Sequence, residues 1–160
     1  MRVYLASDHA GFELKAHLVE WLRDRGYEPV DCGPFDYQPD DDYPPYVIAA
    51  AQRTANDRDS FGIVIGGSGN GEQIAANKVR GVRAALIWND ETAMLARSHN
   101  DANVASIGAR QHTIGEATAL VEVFLSTPFS GEARHVRRLA MVSAYETTGV
   151  LPELPATDPS

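Results

Sequence analysis

Cysteine is almost absent from this chain of 160 residues: Cys32 stands alone. No disulfide can form within the chain, and a zinc site would have to be built mainly from His, Asp and Glu. So little cysteine suits the reducing cytoplasm, and Met1 to Leu5 runs into charge at Asp8 before a signal-peptide core develops. A basic excess is missing too. The formal net charge is −8 and the isoelectric point about 5.0, which opposes binding to nucleic acid or to an anionic membrane surface. No apolar run approaches the roughly eighteen residues of a membrane span. Lysine is scarce, with Lys15 and Lys78 the only two among fourteen basic residues, so an arginine at any one place says little by itself. With 44% apolar and 22% charged residues the composition is that of an ordinary globular chain.

What is present is an alternation. Val3 to Ala6 reads as a strand, Leu14, Leu18, Val19 and Leu22 have helical spacing, and Gly26 marks a stop. Further strands are expected at Glu28 to Cys32, Phe61 to Ile65, Arg83 to Trp88 and Val104 to Ile107. Between and after them the pattern predicts helices over Tyr46 to Ala55, from near Glu72, and over Glu91 to Ser98 and Ile114 to Leu125. Strand-helix alternation implies right-handed βαβ units and a parallel sheet covered on both faces. The predicted fold is a Rossmann-like three-layer α/β/α sandwich of about five strands. Beyond Pro128 a further helix, Gly131 to Thr147, presents two usable stripes, which suits an arm packed on a second subunit. The expected organisation is one domain over 1–150 and a Pro-rich disordered tail over 151–160.

In such sheets ligands bind beyond the carboxyl ends of the strands. The reactive side chains expected to converge there are Asp8 and His9 from the first loop, Glu72 after the glycine-rich loop, Asn89, Asp90, His99 and Asn100 from the fourth loop and its helix, and Arg110 and His112 from the fifth. The run Gly66-Gly67-Ser68-Gly69-Asn70-Gly71 suits an anion cradle of backbone N–H groups. It is not a P-loop, because Glu72 and Gln73 follow where Lys and Ser or Thr are needed. A dinucleotide fingerprint started at Gly67 fails at Glu72.

Glu72 has two readings, a general base or a first-turn glutamate complementing its helix dipole. His9 and His99 suit proton transfer near neutral pH, whereas His17 and His112 have no motif around them. No histidine pair has the i, i+4 spacing that zinc favours, so metal-free chemistry is expected. Arg134 and Arg138, four apart on one helix face, form either a phosphate grip with Arg110 or a solvated basic face.

Several pieces recur together in one family: Ser7-Asp8-His9-Ala10-Gly11, Asp42-Tyr43-Pro44, the glycine loop with Ile74-Ala75-Ala76-Asn77-Lys78, His99-Asn100, and Arg134 with Arg138. In combination they resemble the type B ribose-5-phosphate isomerases, relatives of the galactose-6-phosphate isomerase subunits, over the chain through about Tyr145. The resemblance implies a cofactor-free aldose-ketose isomerase acting on ribose 5-phosphate, in a homodimer whose sites use both subunits. It implies sugar contacts from Asp8 and His9, oxygen contacts from Gly67, Ser68, Gly69, Asn70 and Gly71, orientation by Asn100, ring opening by His99, and a phosphate clamp of Arg110, Arg134 and Arg138. Many relatives carry a cysteine base at the first loop position, where this chain has Gly66, and Cys32 is on another strand. The chain is similar to the other branch, in which a glutamate after the loop, here Glu72, is the base. Two alternatives stay open: a six-carbon aldose phosphate such as allose 6-phosphate or galactose 6-phosphate as substrate, and a non-catalytic phosphate- or nucleotide-binding module.

Overall fold

Side chains that turn alternately to two buried faces along the first strand set up the layers. In β1 (Arg2–Ser7), Val3 and Leu5 enter one core and Tyr4 and Ala6 the other, as successive side chains of a strand point to opposite faces. The computed structural model describes residues 1–154. β1 is joined by β2 (Glu28–Asp31), β3 (Ser60–Gly66), β4 (Ala84–Leu86) and β5 (Val104–Gly108) in one parallel sheet of order β2-β1-β3-β5-β4.

The helices are α1 (Phe12–Asp24), α2 (Pro44–Asn56), α3 (Asn70–Ala76), α4 (Asp90–Ser98) and α5 (Ile114–Ser126). Leu14, Leu18 and Leu22 of α1, Ala93 and Ala96 of α4, and Leu120 and Phe124 of α5 share a core with Leu5, Ile63, Ile65 and Ile107. Val47, Ala50 and Ala51 of α2 and Ala75 and Ala76 of α3 pack with Ala6, Val64 and Val104 on the other face. Each fully buried large aliphatic of these layers stabilises the fold by roughly 1.5–3 kcal/mol. The expected three-layer sandwich with five parallel strands is therefore what forms.

β4 is shorter than the expected Arg83 to Trp88. The Arg83 guanidinium is taken up by the backbone oxygens of Asn100 and Asp101, and the Trp88 N–H donates to Thr92 Oγ1 at 3.0 Å instead of extending the ladder. Asn89, expected among the reactive groups, accepts from the Thr92 N–H at 2.8 Å and caps α4.

Two compact units are present, one ending at Phe129 and the other beginning at Ser130. The second holds α6 (Ala133–Thr148). Val136, Met141, Val142 and Tyr145 of α6 are exposed. Residues 151–154 form no helix or strand, and the rest of the expected tail, 155–160, lies outside the described residues. No helix among the described residues is long and apolar enough to cross a membrane.

Candidate active site

Strand order reverses direction between β1 and β3, which opens a crevice at their carboxyl ends. Asp8 leaves β1 there. It is 8% exposed, and its Oδ1 accepts from the N–H groups of Ala10 at 2.9 Å and Gly11 at 3.2 Å, capping the short turn His9–Gly11. His9 donates its backbone N–H to Asp41 Oδ1 at 2.8 Å, and its ring Nδ1 lies 2.9 Å from the same oxygen.

The glycine loop leaves β3. Gly69 takes φ +81°, and a Cβ there would stand 2.7 Å from Leu86 Cδ1 and 2.9 Å from the Ile107 carbonyl carbon, so only glycine fits. Its carbonyl accepts from Ser106 Oγ at 2.6 Å, while those of Gly66 and Gly67 accept from the N–H groups of Ala109 and Arg110. Ser68 Oγ accepts from both Asn70 nitrogens at 3.3 Å. The loop is thus sewn onto the end of β5, and Arg110 lies over it, its Nη1 3.3 Å from where a Gly67 Cβ would be. On the opposite wall the Tyr43 hydroxyl is 2.7 Å from the Cβ position of Gly71.

Glu72 opens α3 with only 4% of its surface exposed. Burial is the main cause that pushes its carboxyl above the ordinary range; the negative charge of Asp8 adds to this and a backbone N–H opposes it. Its carboxyl group occupies the space that a side chain on Gly66 would fill. A first-turn glutamate serving only the helix dipole would face solvent; this one faces inward, toward the crevice residues.

That shift gives a stability prediction with a definite sign. With its folded pKa raised, Glu72 holds more proton in the folded than in the unfolded chain, so its stabilising contribution is complete below the ordinary value near 4.5 and is lost as pH rises through the folded pKa. At pH 7 the buried charge is a net cost. Glu72→Gln is therefore expected to raise the melting temperature at pH 7, with the gain shrinking as pH falls toward 4. Calorimetric melts across that range check it, and a variant that melts lower at pH 7 would contradict the sign.

Cys32, just after β2, is buried; burial pushes its thiol up, and Arg53 Nη1 lies 3.5 Å from Sγ. Among the described residues no group of three or more His, Cys, Asp or Glu side chains could hold a metal ion. A cleft of about 640 Å³ lies on the β4 side of the glycine loop, lined by Ser68, Asn70, Leu86, Trp88, Gly108 and His112.

His99 and Asn100 do not join this crevice within one chain, contrary to the convergence expected above. α4 returns antiparallel to β4, so residues at its carboxyl end reach the amino end of the sheet. Arg83, one residue ahead of β4, donates to the Asn100 carbonyl at 3.0 Å, and the Asn103 N–H, one residue ahead of β5, donates to the Arg83 carbonyl. Asp101, at φ +42°, is gripped there by Arg97 Nη1 at 2.8 Å and Arg83 Nη2 at 3.0 Å. With strands rising about 3.3 Å per residue, the two ends of β5 are about 13 Å apart. His99 and Asn100 are at one end; Asp8, His9, Glu72 and Arg110 are at the other. Arg134 and Arg138 are exposed on α6 in the second unit, with Arg134 Nε 2.9 Å from Glu132 Oε2.

The model of the ribose/galactose isomerase family matches residues 3–142. The chain belongs to that family. It is 57% identical to ribose-5-phosphate isomerase B of Mycolicibacterium paratuberculosis, with 97% of this chain and 98% of that protein covered. To its Mycobacterium tuberculosis counterpart it is 56% identical, covering 97% and 96%. Among solved structures it is similar to the Mycoplasma genitalium ribose-5-phosphate isomerase B with bound ribulose-5-phosphate, at 39% identity and a TM-score of 0.89 over 92% of this chain and 97% of that one. The Trypanosoma cruzi type B enzyme follows at 38% and 0.87, covering 93% and 98%.

The matched span takes in the α/β sandwich and the glycine loop. Two residues of the crevice were not singled out by sequence reasoning. Asp41 lies unmarked in the acidic run Asp40-Asp41-Asp42, and Tyr43 was part of a motif without a role. The available signal was position, for this segment leads straight into α2 at the same end of the sheet as Asp8.

Proposed function

We propose that this chain interconverts D-ribose 5-phosphate and D-ribulose 5-phosphate through an enediolate, with Glu72 carrying the proton. The observation that carries this reading is the buried Glu72 carboxyl group, held inward against Gly66 at the carboxyl end of β3 and raised in pKa. Raising a carboxylate's pKa above its ordinary range makes it a stronger base and lets it hold the abstracted proton until that proton is returned. Glu72 removes the proton from C2 of the open-chain aldose, and the enediolate oxygens are held by the loop from Gly67 to Gly71. The same carboxylic acid then delivers the proton to C1 while the O2 hydroxyl proton passes to O1, so the step is a net shift of two protons with no redox cofactor in the balance. Asp8 and His9 contact the sugar, and Arg110 beside Gly67 contacts oxygen or phosphate. An anion-binding module would gain nothing from a buried carboxyl here, since its charge repels the ligand.

Ring opening by His99 and orientation by Asn100 require a second copy of the chain, and Arg134 and Arg138 complete the phosphate clamp. What supports a homodimer with shared sites is the length of sheet between His99 and Glu72, together with the exposed apolar and arginine residues of α6. Sugar-phosphate chemistry and a single buried thiol are in keeping with a reducing cytoplasm.

The purified chain is expected to turn over ribose 5-phosphate with chelator present, and faster than allose 6-phosphate. Activity on neither sugar would sink the reading. For the shared site, Glu72→Gln and His99→Asn chains are each expected to lose turnover of ribose 5-phosphate when alone. Unfolded and refolded together in equal amounts, they are expected to regain about a quarter of wild-type activity, because one site in each mixed dimer has both groups intact. No recovery would place both groups in one chain's own site.

A further inference from the structure

Asp41 is the least conspicuous carboxylate of its run and the one with a specific contact. Asp40 and Asp42 are exposed, whereas the Asp41 side chain is 6% exposed. One oxygen, Oδ1, meets both nitrogens that His9 presents on that side, the backbone N at 2.8 Å and ring Nδ1 at 2.9 Å. Its Oδ2 is buried with no hydrogen-bond partner among the described residues, so the carboxylate is committed to His9 alone.

We infer that Asp41 is a positioning residue that fixes the ring orientation and tautomer of His9. A carboxylate has no hydrogen to give, so the proton between Oδ1 and Nδ1 belongs to the imidazole. That leaves Nε2, an acceptor in the neutral ring, as the atom that takes a hydrogen bond from a hydroxyl of the sugar. A neutral histidine in water prefers the opposite tautomer, with hydrogen on Nε2, and such a ring would turn the wrong atom type to its ligand half the time or more. The double contact to N and Nδ1 also fixes the ring's rotation, since one acceptor oxygen satisfies both donors only in one orientation. Two residues on, Tyr43 packs against Gly71, so this one segment touches both the His9 turn and the glycine loop. The orienting carboxylate on a functional histidine is a recurrent device, and here it comes from a loop over thirty residues away in sequence.

The inference rests on His9 contacting substrate, and its test has one arm that needs no turnover. Nitrogen NMR of the unliganded protein, at a pH where the ring is neutral and with His9 assigned by comparison with His9→Ala, is expected to show hydrogen on Nδ1. In Asp41→Ala that signature is expected to be lost. A His9 ring protonated on Nε2 in the wild type overturns the inference whatever the activity. In the kinetic arm, Asp41→Ala is expected to raise the KM for ribose 5-phosphate about tenfold with a smaller change in kcat, while Asp41→Asn, which keeps an acceptor oxygen, recovers to within about threefold. In a His9→Ala background, Asp41→Ala is expected to change nothing further. A full additional loss in that background would mean that Asp41 serves the loop and not His9, and would overturn the assignment. Absence of wild-type turnover would instead count against the proposed reaction and leave the NMR arm to decide Asp41.

Discussion

Glu72→Gln is expected to lower kcat for ribose 5-phosphate by about a thousandfold or more while leaving KM within a few-fold, since general-base catalysis contributes about 10²–10⁴ and in the proposed reaction this one group serves both proton transfers. The amide has nearly the shape of the carboxyl group, so it still fills the space against Gly66 and disturbs neither the loop nor α3. It cannot accept the C2 proton. The residual wild-type-like binding would come from the loop and the phosphate contacts, which the change does not touch. In the wild type, kcat/KM is expected to fall on the acid side with an apparent pKa above the ordinary glutamate range, in the direction set by burial and by Asp8. That acid limb should disappear in Glu72→Gln. Deuterium exchange at C1 of ribulose 5-phosphate gives a second measure, because it needs the base but not ring opening. His99→Asn is expected to retain that exchange and Glu72→Gln to lose it. Turnover within tenfold of wild type in Glu72→Gln would remove the base from the mechanism.

How much of this site could be read from the chain follows the physics of each signal. Strand and helix succession was legible because apolar runs and 3.6-residue spacing are local properties, and the glycine loop was legible because its composition is itself the constraint. Apart from the resemblance, Glu72 read equally as base or dipole partner; its burial against Gly66 favours the first, and burial is a tertiary property that a first-turn position does not reveal. His99 was assigned to the wrong end of the sheet within one chain, and here the needed rule was available. A helix following a parallel strand runs back along it, so its last residues face the strand's beginning; His99 follows Ser98, the end of α4, and so sits near Arg83. Asp41 was hidden by its neighbours. Three consecutive aspartates look like one solvated run, and nothing local marks the one that turns inward to His9.

Gly66→Ala is expected to cost about a hundredfold in kcat with little loss of stability. A Cβ at position 66 would lie within the Glu72 carboxyl group, and the three nearest atoms to it all belong to that group. These atoms are the far end of a flexible side chain, so the clash is relieved by moving the carboxyl aside and not by shifting strand β3. The fold is thus spared, but the base is displaced by an ångström or more, and a misplacement of that size costs about 10²-fold in rate. Moving the carboxyl also reduces its burial, so the acid limb of the pH profile is expected to shift down toward the ordinary glutamate value. The two mutations are therefore coupled: in a Glu72→Ala background, Gly66→Ala has no carboxyl to displace and is expected to change neither stability nor the residual rate. A side chain at 66 and a carboxyl from 72 compete for one volume. With Glu72 as the proposed base, this gives a physical reason for the either-or pattern that the resemblance implies, since a side-chain base at position 66 and a carboxyl from position 72 would claim the same room.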